Sequence, residues 1–206
     1  MGFSSLLDIL GSSIVGSLLF LILLRLNSAS VENTYKNSGE LIVQQDLVEV
    51  VKLIEYDFRK IGYCANFNKI PDPSKSILLA DSNRITFLTD VADPPAYPNG
   101  DGNVDTLHYY LGSTSELSNT PNPEDRLLYR VVNSETPGGS NLGITLFNLT
   151  YYNSLGSILI PPIAVPGEIA TIQIDIEIEN TAAYNNQYST VFWRQIRLVS
   201  RNLKNR

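Results

Sequence analysis

Residues 6–26 read LLDILGSSIVGSLLFLILLRL, and no other feature limits the fold of this chain so strongly. As a helix at ~1.5 Å per residue, the run reaches about 30 Å, the thickness of a bilayer core. Residues 9–24 carry no charged side chain. Asp8 and Arg25 flank them, where charged groups reach the interface. Three readings compete. A cleaved export signal would use Ser28, Ala29 and Ser30 as its small-residue site, but no basic region precedes the apolar run. A buried core helix would need apolar neighbours on every side, which a small domain does not supply. A retained membrane helix fits both the length and the all-round apolar character. Gly11, Ser12, Ser13, Gly16 and Ser17 would let helices approach closely in lipid.

The rest of the 206-residue chain is different in kind. Residues 63–193 hold 14 acidic and 5 basic side chains, whereas residues 194–206 hold five basic and none acidic. A net charge of −6 and a pI near 4.8 argue against a nucleic-acid backbone as the main partner. With 43% hydrophobic and 17% charged residues, the chain is not of disordered composition. One cysteine, Cys64, excludes an internal disulfide and a cysteine-based zinc site. One histidine, His108, excludes most metallohydrolase centres.

Beyond a polar link at residues 27–37, helical periodicity returns. Apolar residues fall at Val43, Leu47, Val50, Val51, Ile54, Phe58 and Ile61, spacings that share one helix face. Ser38 and Gly62 are the candidate caps of a helix over residues 38–62. The link contains no proline, so it either continues the helix or breaks it briefly.

After Gly62 the period becomes two. In Thr171–Glu179, Ile172, Ile174, Ile176 and Ile178 face one side, and Gln173, Asp175 and Glu177 the other. Further strands are expected at Arg84–Thr89, Asp105–Leu111 and residues 127–132, 144–152 and 190–200. Clusters of Pro, Gly, Asn and Asp separate them, with no helix-length segment between. The expected class is α+β. A long N-terminal helix, its first half membrane-spanning, packs on a mostly antiparallel sheet. Residues 1–37 form the membrane or filament-core helix and link. Residues 38–206 form an exported domain, with helix 38–62 and a sheet body over 63–206.

Several stretches together resemble a known family. Met1-Gly2-Phe3 before the apolar run looks like the start of a type IV pilin-like protein. Asp57-Phe-Arg59-Lys-Ile-Gly62-Tyr63 resembles the signature of J-type pseudopilins of type II secretion and of W-type minor pilins. Gly100-Asp-Gly-Asn-Val-Asp105, Leu128-Tyr-Arg130 and Arg201-Asn-Leu203 are similar to later segments of those proteins. The resemblance implies a structural, non-enzymatic subunit of a pilus or secretion pseudopilus. Its partners would be other pilin or pseudopilin subunits, the cytoplasmic membrane and a secreted protein substrate. It would be a single-pass protein of the inner membrane with its C-terminal domain outside the cytoplasm. The resemblance assigns processing to Gly2 and Phe3, registration between subunits to Asp8, and docking of helix on sheet to Glu55, Asp57, Arg59, Gly62 and Tyr63. Two departures stand out: the leader would be Met1-Gly2 without a basic residue, and the acid falls at Asp8 where the family pattern would place it at Leu7. The alternative is a membrane-anchored or secreted β-sandwich binding module with no filament role.

Asn99, Asp101, Asn103 and Asp105 alternate in a glycine-containing loop. Oxygens at every second position suit calcium, a hard cation that takes six to eight of them. The same residues also suit a turn whose Asn and Asp side chains cap their own backbone. No other cofactor is implied. No carboxylate spacing selects an acid–base pair, and no G-x-S-x-G elbow is present. His108 reads as a strand histidine and Cys64 as a small buried hydrophobe. Arg59 is expected to reach the sheet or to pair with Glu55 one turn earlier.

Overall fold

The computed structural model describes residues 2–92, 96, 99–180 and 188–198. One helix, α1, runs from Gly2–Arg59 over 58 residues. The link at 27–37 is helical throughout, so Ser38 caps nothing and the expected second helix is the continuation of the first. The absence of proline permits this, and the Lys36–Glu32 ion pair at 2.8 Å lies along the same face of the link. The two halves of α1 meet different surroundings. Every residue from Gly2 to Val31 is exposed, and Gly39 is the first buried one. From there Val43, Leu47, Val50, Ile54 and Phe58 are buried in the stripe expected from their spacing.

Gly62 ends this arm with φ at +71°, a conformation that glycine adopts without strain. Its N–H donates to the Leu88 carbonyl at 2.8 Å, so the turn that stops the helix also ties it to the sheet.

The body is a single eight-stranded sheet, and every pairing in it is antiparallel. Its strands are β1 (Ile77–Ala80), β2 (Arg84–Thr89), β3 (Asp105–Leu111), β4 (Arg126–Val132), β5 (Gly139–Tyr152), β6 (Ile158–Leu159), β7 (Thr171–Glu179) and β8 (Thr190–Leu198). The order is β1-β2-β3-β4-β5-β7-β8, with β6 paired to β5. There is no second sheet among the described residues, so the sandwich form of the alternative is corrected: α1 covers the dry face that a second sheet would have covered. The helix crosses that face obliquely. Gly39 lies against Asn180 and Ser189 beside β7 and β8, while Phe58 packs edge-on against Phe87 of β2 and Tyr109 of β3.

The four isoleucines of β7 are all buried, with Ile85, Phe87, Leu107, Phe147, Leu149 and Tyr151 beside them. Complete burial of side chains of this size contributes roughly 1.5–3 kcal/mol each before chain entropy is counted. Asp175 faces away from this core yet is buried, because Arg194 directly opposite on β8 lies over it, Nε to Oδ1 2.7 Å. Tyr109 and Tyr151 point inward, and their neighbours Tyr110 and Tyr152 lie half-buried on the other face.

Candidate functional site

Three features of the molecule bear on function: the bare half of α1, the junction of its other half with the sheet, and the loop before β3. The first is built by sequence alone. Phe3, Leu6, Leu7, Ile14, Leu18 and Phe20 are each more than half exposed. α1 is long and apolar enough in this half to cross a membrane. Asp8 is exposed within it and makes no ion pair among the described residues. Gly2 and Phe3 open the helix, with Phe3 79% exposed.

At the junction, strand alternation puts Arg130 on the same face of β4 as Leu128, directly opposite Tyr109 of β3. That face is dry, so the guanidinium needs a partner. Asp57 supplies it from the last turns of α1. Arg130 Nε donates to Asp57 Oδ2 at 2.6 Å and Nη2 to Oδ1 at 3.3 Å, a bidentate pair. The Tyr109 hydroxyl donates to the same Oδ2. Burial first, and the neighbouring Asp57 charge second, push the Tyr109 phenol well above its ordinary value. Burial disfavours the Arg130 charge, but Asp57 outweighs it and the guanidinium is held more tightly protonated than usual. A crevice of about 190 Å³ lies alongside, walled by Leu53, Tyr109, Leu128, Arg130 and Leu142. It is smaller than ordinary small-molecule sites.

The five docking residues divide. Asp57 and Gly62 join helix to sheet as described, and the Tyr63 carbonyl accepts from the Asp90 N–H at 2.8 Å. Glu55 and Arg59 do not reach the sheet. Arg59 points to solvent, 63% exposed, and pairs with Glu55 at 3.6 Å, because positions two apart from Asp57 lie on another side of the helix.

The loop before β3 is organised by Asp90, a residue that no sequence pattern singles out. It is completely buried at the end of β2. Its Oδ2 accepts from the N–H groups of Ala65 at 2.9 Å and Gly102 at 3.0 Å. The oxygens of the four alternating residues take separate hydrogen-bond partners. Asp101 accepts from the backbone N–H and side-chain amide of Asn103, both at 2.7 Å. Asp105 accepts from Val91 N–H and from Asn133 Nδ2. Lys69 donates to Asn103, and Lys60 to the Asn99 carbonyl. Ammonium groups and N–H donors thus occupy the oxygens that calcium would need. Among the described residues no three His, Cys, Asp or Glu side chains gather as a metal site.

His108 lies half-buried on the outer face of β3, with its ring 4.8 Å from that of Tyr110, which stacks on Tyr129. Cys64 is buried, and burial raises its thiol above the usual range. Residues 199–206, with Arg201, Asn202 and Leu203 of the resemblance, lie outside the described residues.

The fold and these features define an α+β protein whose one long helix among the described residues has two unlike halves, one apolar and exposed, one sealed by a sheet. No protein-family model matches the chain, and neither does any curated protein or solved structure compared with it.

Proposed function

We propose that the chain is a membrane-anchored structural subunit, similar to minor pilins and J-type pseudopilins, that assembles with like subunits through the first half of α1. The observation that carries this reading is the contrast within one helix. Its second half is buried on the sheet, while its first half exposes apolar side chains on all sides. Such a surface rests stably in lipid or in a bundle of similar helices, and transfer between the two exchanges one set of apolar contacts for another. The junction supports the same reading, because a load on the helix passes to the sheet through Asp57 and Arg130. The resemblance adds the inner membrane, a sheet domain outside the cytoplasm, and pilin or pseudopilin neighbours. A secreted protein would be the cargo.

A photo-crosslinking residue in place of Leu18, in the native host, tests the assembly, and sequencing the mature N-terminus tests the processing. Crosslinks to other apolar-helix subunits and a mature start at Phe3 are expected. A mature start at Val31 would remove the anchor and overturn the reading. A second reading, an anchored binding module without a filament, is favoured by Leu155 and Ile160, 88% and 85% exposed in the segment joining β5 to β7. An uncleaved, uncrosslinked anchor would support it.

A further inference from the structure

The turn between β1 and β2 lies at the surface, yet all its backbone carbonyls are engaged. The buried Tyr151 hydroxyl donates to the Asp81 carbonyl at 2.8 Å. Leu149 N–H of β5 donates to the Ser82 carbonyl at 2.7 Å, and Leu111 N–H of β3 to the Asn83 carbonyl at 3.2 Å. Asp81 N–H closes the hairpin on the Arg84 carbonyl at 2.9 Å. The backbone is thus pinned from β3 and β5, while Asn83 and Arg84 are exposed. Arg84 is held by its side chain as well. Its Nε donates to Asp81 Oδ2 at 3.0 Å, and Asp81 Oδ1 accepts from the Ser82 N–H at 2.8 Å. That contact orients the guanidinium and leaves both its terminal nitrogens without partners among the described residues. The Asn83 amide and the Tyr110 hydroxyl have none there either.

These groups border one open cleft of about 520 Å³, lined by Asp81, Asn83, Arg84, His108, Tyr110 and Leu111. Ordinary small-molecule sites measure ~300–1,000 Å³. The register places an aromatic wall in it. Tyr110 lies opposite Tyr129 of β4 on one side and opposite Arg84 of β2 on the other. Tyr129 stacks on the Tyr110 ring at 4.6 Å, with 11° between the planes. The cleft is on the β2 side, towards the ring face that Tyr129 leaves uncovered.

The chemistry of the lining selects the ligand. Asp81 pairs with Arg84, so this pair adds no net charge, and a chain of net charge −6 repels polyanions. The spare donors and acceptors would be left unpaired by a wholly apolar ligand. A pyranose ring answers both conditions. Its hydroxyls give and accept hydrogen bonds, and its C–H groups form an apolar face that packs on the negative face of an aromatic ring. A pinned turn also loses little freedom when a ligand binds.

We propose that this cleft binds a neutral oligosaccharide. One pyranose packs on Tyr110, and its hydroxyls bond to the terminal nitrogens of Arg84 and to the Asn83 amide. The site belongs to the sheet domain alone and stands whether or not subunits assemble through α1.

The test uses the full chain in a detergent without a sugar headgroup. Cellotetraose, chitotetraose, mannotetraose and the anionic tetragalacturonate are each titrated at millimolar concentrations and followed by calorimetry. Binding of at least one neutral tetrasaccharide, more tightly than tetragalacturonate, is expected. Tyr110→Leu and Arg84→Gln should each weaken that binding about tenfold or more, the scale of one lost aromatic or charged contact. Asn83→Ala should weaken it by a smaller factor. Asn83 and Arg84 are exposed, so their variants carry the test if Tyr110→Leu fails to fold. Phe192→Ala removes an exposed aromatic ring elsewhere on the sheet and should bind as the parent does. The proposal is overturned if no neutral tetrasaccharide binds the parent chain, or if tetragalacturonate binds more tightly. It is equally overturned by parental affinity in both Asn83→Ala and Arg84→Gln, or by binding lost in Phe192→Ala.

Discussion

Asp57 and Arg130 are 73 residues apart in sequence and meet as a bidentate pair between α1 and β4, 2.6 Å at the closest approach. One charge comes from the polar side of an apolar helix stripe and the other from the dry face of a strand. Neither position makes sense alone, since each would bury a charge. Together they fix where the helix stops along the sheet, because a slip of one helical turn would move Asp57 about 5.4 Å away.

Asp57→Asn is therefore expected to cost about 3 kcal/mol, the lower end for a broken buried pair, because Arg130 keeps some contact with water. Asp57→Leu combined with Arg130→Met should lose less than the two single changes added together, since no lone charge remains. Tyr109→Phe should cost about 1–2 kcal/mol through the lost hydroxyl donor. Urea unfolding followed by circular dichroism measures all five variants, the two single changes included.

Neighbours on α1 should differ sharply. Ile54 is completely buried and Leu53 is 46% exposed. Ile54→Ala should destabilise the domain by roughly 2–5 kcal/mol and Leu53→Ala by less than about 1 kcal/mol. Equal losses in the same urea assay would mean that the helix rests on the sheet by another face.

These contrasts also show what was legible in the sequence. The stripe from Val43 to Ile61 and the alternation of β7 could be read directly, since each is set by a local period that burial then obeys. β2, β3 and β7 have the bounds that their patterns suggest. Strand β5 begins at Gly139, before the expected residue 144, because Gly143 interrupts the alternation at φ +68° and the pairing resumes across the irregularity. β1 and β6 are too short to show a period. Asp57 and Arg130 each lay within a stretch singled out by resemblance, but their contact is a tertiary fact. Asp90 and Asp125 are single acids in loops. Only the donors gathered around Asp90 set it apart.

Gly100 has no room for a side chain. A Cβ there would lie 1.9 Å from Asp90 Oδ1, and its φ of +107° is strained for other residues. Gly100→Ala should cost at least about 2 kcal/mol and loosen the loop that Asp90 ties to Ala65 and Gly102. Hydrogen exchange at the Gly102 amide is the direct readout. Unchanged protection would show that Asp90 does not hold this loop.

His108 is the single histidine, so its titration can be isolated. Burial first and the Arg84 charge second hold its imidazole below the ordinary 6.5. The folded chain then binds this proton more weakly than the unfolded chain does. Its contribution to stability is complete above pH 6.5 and declines as the pH falls from there through the lower folded value. Between pH 7.5 and 5.5 the parent should lose more Tm than His108→Gln. The difference should be small, because solvent screens a half-buried ring. A larger loss in the variant would reverse the sign and place a carboxylate partner beside the ring.

The sharpest consequence of the divided helix concerns its removal. Nothing before Gly39 is buried, so residues 2–30 contribute no packing to the sheet domain. A chain starting at Val31 should be soluble without detergent and should melt within about 2 °C of the full chain, since changes at exposed sites stay within about 0.5 kcal/mol. A chain starting at Leu53 removes Val43, Leu47 and Val50 from the core and should not fold, because the strands then lose the apolar surface that covers them. Side-by-side thermal melts of the two truncations separate the halves. If the first truncation melts far below the full chain, the bare half of α1 has a stabilising role that its exposure does not reveal. If it melts with the full chain, the free energy that folds the domain resides in the sheet and the second half of α1 alone. A subunit of the proposed kind would then pass from lipid to an assembly without unfolding its sheet.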